Sequence, residues 1–515
     1  MIAKMQSCAV NGFEAIVVDV EVDISLGLPV FNMVGLAEAA VRESKERVRS
    51  AIQNSGYTFP MDRVVVNLAP ADIKKEGTGL DLPVALGILC VAGLFDAKTT
   101  SSWVVAGELS LDGQLRPVKA ALPFALAAME NGFKGIIIPE ENGPEAAIVK
   151  GIDVLAVSHL SQAVDFLAGQ TQINPLEPDL SILTRPDAQW GKTDFAHVQG
   201  QGHVKRALEV GAAGHHHLLL NGPAGSGKSM MAKCLPGILP ESSFEEAMDI
   251  ARVYSLTGTA RESGQPLGSR PFRSPHHSIS DAGLVGGGSK PMPGEISLAH
   301  NGILFLDELP EFRRNALEVL RQPLEEGQIT LARAKSKATY PCRFMLVGAM
   351  NPCPCGNLTN PDKECICTPV KVSQYRSKIS GPLMDRMDIQ VEVPRLSFKE
   401  LSGNKNGESS KEIRERVSHA RRIQEKRFTK KDVGCFSNAD MGPEQIKTHC
   451  SLDSQSRKLV EHAMDKLNLS ARAYTSILKV SRTIADLAGE ERILKSHVLE
   501  AIQYKTLDRQ DNAFG

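Results

Sequence analysis

Gly222-Pro223-Ala224-Gly225-Ser226-Gly227-Lys228-Ser229 follows directly on the apolar run Leu218-Leu219-Leu220. The eight residues fit GxxxxGK[ST], a strand-to-helix turn whose glycines let backbone N–H groups curl around a phosphate while the next helix turns its positive end to the same anion. The pattern predicts an α/β fold with a nucleotide cradled by Gly222 to Ser229. Lys228 is expected to reach the β- and γ-phosphates, and Ser229 to ligate Mg2+. Such a loop needs a carboxylate at the end of a second buried strand, and Ile303-Leu304-Phe305-Leu306 followed by Asp307-Glu308 supplies it. Asp307 is expected to hold the metal through water, and Glu308 to orient and deprotonate the attacking water. ATP and Mg2+ are the cofactors this reading requires. A glycine-rich loop alone also fits an ordinary strand-to-helix turn; the lysine and the strand ending in Asp-Glu separate the two readings.

The 515 residues point to three or four domains, and 42% hydrophobic with 23% charged residues is ordinary for a globular chain. No stretch approaches the 18 or so uncharged apolar residues of a membrane span, and Met1 to Cys8 lacks an apolar leader segment, so a cytoplasmic protein is expected. Ten cysteines in a chain this long read as reduced thiols rather than a disulfide scaffold. A net charge of −1 neither demands nor excludes nucleic acid, because a balanced whole can hide a locally basic surface.

Residues 1–170 alternate β-rich runs (Ala15 to Val22, Arg63 to Leu68, Trp103 to Ala106, Gly135 to Ile138) with helical patterns (Leu36 to Gln53, Leu82 to Leu94, Ala120 to Asn131), as an α/β domain does. Pro175, Pro178 and Pro186 mark a linker over 171–192. The nucleotide-binding core is expected over 193–394. A helical domain follows over 395–515, with a basic helix from Lys411 to Lys431 and further helix from Lys458 to Leu487.

Between the two strands that bear on the nucleotide lies Gln328 to Tyr340, with Arg333, Lys335 and Lys337 at every second position of an expected hairpin. Cations so spaced can track a phosphate backbone, which makes DNA a predicted partner; a solvated edge hairpin is the alternative. Cys353, Cys355, Cys365 and Cys367 form two CxC pairs. Four thiolates on such a loop can close tetrahedrally on a structural Zn2+, the alternatives being a reduced surface loop or a redox-labile one. Phe272 to His277 and Gly283 to Gly288 make a second candidate loop, in which His276 and His277 are not read as ligands.

The run Phe344 to Met350 ends at Asn351, where AAA+ ATPases keep a polar sensor of the γ-phosphate. Ser380 to Asp388 resembles the segment that carries the arginine finger in the Mg-chelatase and minichromosome-maintenance branch, which makes Arg386 a candidate to act on a neighbouring subunit's nucleotide. Leu469 to Ala488 is similar to the second-sensor helix, with Arg472 the better candidate and Arg482 the reserve. With Phe272 to His277 and Asn351 to Gly356, these segments look like the ComM/YifB subfamily of Mg-chelatase-like AAA+ ATPases. That resemblance spans nearly the whole chain. It implies a central AAA+ core with a C-terminal helical lid, a homo-oligomeric ring, a hexamer by expectation, and action on DNA as a translocase in branch migration during natural transformation. A chelatase-like or protein-remodelling motor is the alternative, although no DxSxS pattern of a metal-adhesion domain is present.

Gly107 to Val118 and Gly132 to Pro139 resemble the proteolytic domain of Lon, of ribosomal S5 domain 2-like fold, whose nucleophilic serine works with a lysine. Gly79 and Leu122 fall at those two positions here. Neither can serve as nucleophile or base, so the domain is expected to be catalytically silent. Thr78 and Lys119 are the nearest substitutes.

Overall fold

The computed structural model describes residues 2–35, 39–72, 75, 77–184, 193–258, 266–288, 291–333, 336–360, 363–396, 407–428 and 435–505. The chain divides into two compact units. The first comprises 1–185, 247–269 and 330–340; the second comprises 186–246, 270–329 and 341–515.

The first unit is built on a seven-stranded mixed sheet. In spatial order the strands are Phe31–Val34, Arg63–Ala69, Glu14–Ser25, Ile2–Asn11, Trp103–Val105, Gly135–Pro139 and Asp153–Val157. The long hairpin Ile2–Asn11/Glu14–Ser25 is antiparallel, and the last three strands add in parallel. Met5, Val18, Val20 and Val22 are fully buried beneath the apolar helix Asp81–Val91. Within that helix Asp81 is also buried, and Arg47 holds it through Nε at 2.9 Å and Nη2 at 3.2 Å. Leu122 is fully buried, Lys119 is exposed, and the Thr78 hydroxyl donates to the Glu108 carboxylate.

The segment Thr330–Tyr340 also belongs to the first unit. Gln328–Arg333 and Ser336–Pro341 pair as a two-stranded ribbon, with the Thr330 and Thr339 hydroxyls 3.0 Å apart. Ile329, Leu331, Ala338 and Tyr340 are buried while Lys337 and Thr339 are exposed, the alternation of a one-sided ribbon. Gly12, in the turn of the long hairpin, lies against the Ala338 backbone, so close that a Cβ there would sit 3.5 Å from its Cα. Lys335 and the side chain of Arg333 lie outside the described residues.

The second unit has a five-stranded sheet in the order Phe272–Arg273, Gly302–Leu306, Phe344–Met350, Leu218–Asn221, Ile389–Glu392, parallel throughout. Its three central strands are buried along their whole length, which is why they read as unbroken apolar runs rather than alternating ones. Helix Gly202–Gly214 and the C-terminal helices Ser410–Arg427 and Ala471–Leu487 share this core. The expected helix over Lys458 to Leu487 is two helices, Ser454–Leu467 and Ala471–Leu487, broken at Asn468. Asn468 has φ 50°, in the left-handed region that asparagine tolerates better than most residues, and Ser470 caps the second helix on Ala473 N.

Candidate functional site

The register of the sheet assembles the nucleotide loop. Asn221 pairs with Met350, so Gly222 and Asn351 leave their strands side by side, and Gly222 N donates to Met350 O at 3.2 Å. A Cβ at Gly222 would come within 2.2 Å of Val393 O, so only glycine fits between the loop and the adjacent strand's end. Gly225 and Gly227 take φ 75° and 90°, the left-handed turns that wind the loop before helix Lys228–Cys234 begins.

Lys228 is 8% exposed, and its Nζ donates to Gly222 O at 2.6 Å, Pro223 O at 2.9 Å and Asn351 Oδ1 at 3.2 Å. Burial lowers its pKa to about 8, against the opposing pull of Asp307 and Glu308. Ser229 Oγ donates to Asp307 Oδ2 at 2.6 Å, which places the hydroxyl and the carboxylate together as a Mg2+ pair requires. The other carboxylate oxygen of Asp307 accepts the Glu308 N–H at 3.0 Å. Glu308 has φ 52° and its carboxylate lies half-exposed, 3.3 Å from His277 Nδ1. A left-handed non-glycine residue is backbone strain of about 1–3 kcal/mol. Ser226 Oγ is buried without a hydrogen-bond partner among the described residues. A cradle of glycines, a buried ammonium and such a hydroxyl fit the phosphates of ATP, with Ser229 and Asp307 the residues that would hold Mg2+.

Two residues that sequence reasoning missed stand beside this loop, and a third, His277, meets Glu308 from the second candidate loop. Gln201, at φ 53° before helix Gly202–Gly214, donates from Nε2 to Ser226 O and to Pro394 O, each at 3.0 Å. Its only sequence signal is the glycine-flanked Gly200-Gln201-Gly202. Tyr375 is buried, with its phenol pushed up to about 12 chiefly by that burial, while the backbone N–H of Asn351 beside it pulls the other way.

Arg386 and Arg472 converge elsewhere in the second unit, on Glu325. Arg386 is buried, donates to Pro382 O at 2.5 Å and pairs with the Glu325 carboxylate; Arg472 Nη2 reaches the same oxygen at 3.0 Å. The three residues line a cavity of about 450 Å³. Two side-chain bonds fix the segment carrying Arg386 against helix Ala471–Leu487: Ser470 Oγ to Asp385 at 3.3 Å and Ser476 Oγ to Asp388 at 2.7 Å. Burial alone pushes the Asp388 carboxyl up, yet the His216 hydrogen bond and the charges of His216, His217 and Lys505 outweigh it and hold it well below the usual carboxylate range. Arg482, by contrast, is buried and spent on Asp486 and on the Glu490 and Glu491 carbonyls.

The four cysteines of the CxC pairs come together. All four Sγ atoms lie within 4.8 Å of one another, with Cys353–Cys355 at 3.4 Å and Cys365 at 3.6 Å from each. A tetrahedral tetrathiolate with metal–sulfur bonds of ~2.3 Å sets its sulfurs ~3.8 Å apart, so this cluster can hold such an ion.

The parallel sheet, the phosphate loop and the carboxylate strand beside it define a Mg-chelatase-type AAA+ protein. Residues 194–401 match the family described as magnesium chelatase, subunit ChlI; residues 20–142 match subunit ChlI of Mg-chelatase, and residues 407–505 its C-terminal region. The chain is 43% identical to competence protein ComM of Haemophilus influenzae, over 99% of its own length and 98% of that protein's. It is likewise 43% identical to YifB of Escherichia coli, over 97% and 96%. A shorter similarity, 29% identity over 26% of each chain, relates it to Lon protease 2 of Bacillus subtilis. The chain belongs to the ComM/YifB subfamily of Mg-chelatase-like AAA+ proteins. Membership implies ATPase activity with ATP and Mg2+. Among the described residues no helix is long and apolar enough to cross a membrane.

Proposed function

We propose that this chain is a cytoplasmic, ring-forming, Mg2+-dependent ATPase that translocates on DNA and migrates branched strands, in natural transformation or recombination. The observation that carries the ATPase part is the convergence of Lys228, Asn351, Ser229 and Asp307 on one loop. In this reading Lys228 binds the phosphates, Asn351 senses the γ-phosphate through its contact with Lys228, and Glu308 takes the proton of the attacking water. Arg386 stabilises transition-state charge on a neighbour's nucleotide in a hexamer, and Arg472, on the same carboxylate, acts beside it. Glu325 then occupies the guanidinium groups until a phosphate displaces it.

The DNA part is supported by 43% identity along 99% of the chain with a protein named for competence. Arg333, Lys335 and Lys337 are the proposed backbone contacts. The proposed domains are a Lon-protease-like α/β domain over 1–170 without its catalytic dyad, a linker over 171–192, the AAA+ core over 193–394 and a helical lid over 395–515. The proposed cofactors are ATP and Mg2+, with a structural Zn2+ on Cys353, Cys355, Cys365 and Cys367. A chelatase-like or protein-remodelling motor is the second reading, favoured by the family descriptions that match three parts of the chain.

ATP hydrolysis measured with and without single-stranded and forked DNA separates the two. DNA stimulation that disappears in Arg333→Ala/Lys335→Ala/Lys337→Ala, with Lys228→Ala as the blank, supports the first. Hydrolysis indifferent to every DNA overturns it in favour of the second.

A further inference from the structure

The four-thiol loop is not a remote appendage, because both of its ends return to the nucleotide site. It begins two residues after Asn351, whose Oδ1 accepts from Lys228 at 3.2 Å. It ends at Cys367, next to Thr368, which caps helix Pro369–Arg376. That helix carries Tyr375, whose buried phenol lies beside the Asn351 backbone N–H. Arg376 Nε meets Pro352 O at 3.4 Å, a second tie between the helix and the start of the loop. Inside the loop Gly356, at φ 76°, donates to Cys353 O at 3.0 Å and rests on the phosphate loop itself. A Cβ at Gly356 would stand 3.7 Å from Ala224 N and 4.0 Å from Asn351 Cγ.

We infer that metal bound by Cys353, Cys355, Cys365 and Cys367 is a positioning element of the nucleotide pocket, holding Gly356 against the phosphate loop and Asn351 on Lys228. This rests on the proposed zinc occupancy. The physical argument is loop closure. A cross-link across the fifteen residues Cys353 to Cys367 removes conformations in which Asn351 and Gly356 leave the pocket, and that ordering is then not charged against nucleotide binding. The alternative, four free thiols, leaves the same segment without that cross-link. Metal loss, by chelation or by oxidation of the thiols, is therefore felt as weaker nucleotide binding rather than as loss of a catalytic group.

The test uses the full chain. Metal content is measured by elemental mass spectrometry, and affinity for a fluorescent ADP is titrated on the purified, the metal-stripped and the Zn2+-restored protein, with helix content followed by circular dichroism. The expected result is about one Zn2+ per chain. Nucleotide affinity is expected to fall about tenfold on stripping, the scale of one hydrogen bond to a charged group, and to return with Zn2+ but not Mg2+. Absence of metal, with no uptake of added Zn2+, overturns the zinc occupancy and the inference with it. Stoichiometric metal whose removal leaves nucleotide affinity unchanged overturns the inference alone. If stripping unfolds the chain, Tyr375→Phe decides the matter, since it leaves every thiol in place. Retained zinc with weakened nucleotide binding supports the positioning circuit, and retained zinc with full affinity overturns it.

Discussion

Lys228 sits in its pocket as an ammonium with three oxygens around it and a pKa near 8, because burial penalises its charge more than Asp307 and Glu308 favour it. The sign has two consequences. Between about 8 and the usual 10.5 the unfolded chain carries the proton that the folded one has lost, so the nucleotide-free protein gains stability from this group as pH rises through that window. Phosphate charge restores the proton, so ATP binding at pH 8 is expected to take up about half a proton per site, and less at pH 7. Calorimetry in buffers of different ionisation enthalpy reads this uptake directly, and Lys228→Met should abolish it. Gln201 makes a different kind of contribution. Gln201→Ala leaves the Ser226 and Pro394 carbonyls without their donor and should cost about 1–3 kcal/mol in a urea titration, with weaker nucleotide binding beside it. Lys228, Ser229 and Asp307 were legible in the sequence because each belongs to a local pattern with a stated chemistry. Gln201 and Tyr375 were not, since what makes them matter is a contact across 25 residues in one case and a return to Asn351 in the other.

At the scale of elements, the strands that position the nucleotide were readable because a parallel sheet covered on both faces needs long apolar runs, and Leu218–Asn221, Gly302–Leu306 and Phe344–Met350 are such runs. The helix break at Asn468 was not readable, because the apolar spacing continues across it and only one left-handed residue marks the turn. The basic helix Ser410–Arg427 has a dry side that its charge run conceals: Ile413, Val417, Ala420 and Gln424 are buried, and Arg416 pairs with both Glu209 and Glu408. Helix Asp81–Val91 conceals a charge in the opposite way. Asp81 is buried in an apolar sequence, and that burial raises its pKa to about 6 despite Arg47. A folded-state pKa above the unfolded value means that the contribution of Asp81 is fully present below about 3.9 and is lost as pH rises through 6. Arg47→Ala removes the cation that keeps the ionised form tolerable. It should destabilise the first unit by about 3–5 kcal/mol at pH 8 and by less at pH 5, where Asp81 can take a proton; thermal melts at the two pH values check this.

For the whole molecule the decisive question is where the arginines act. Arg386 and Arg472 meet on Glu325, and among the described residues neither is a hydrogen-bond partner of the phosphate loop. In the proposed function these side chains complete a site when another subunit brings its nucleotide to them, and a head-to-tail ring is the arrangement in which every subunit does so. A mixture of two variants tests this where single variants cannot. Lys228→Ala removes the phosphate ligand of a subunit but leaves its Arg386; Arg386→Ala does the reverse. Each variant alone should be inactive. In a one-to-one mixture, an Arg386→Ala subunit keeps an intact phosphate loop and can receive Arg386 from a Lys228→Ala neighbour. Random assortment then completes about a quarter of the sites, so the mixture should recover about that share of wild-type hydrolysis. If Arg386 instead serves its own chain's nucleotide, every site in the mixture lacks one of the two groups and no activity returns. Glu325→Gln sharpens the result: with the carboxylate charge gone the two guanidinium groups lose their resident anion, and assembly in the presence of ATP should proceed at lower protein concentration, as sedimentation velocity would register.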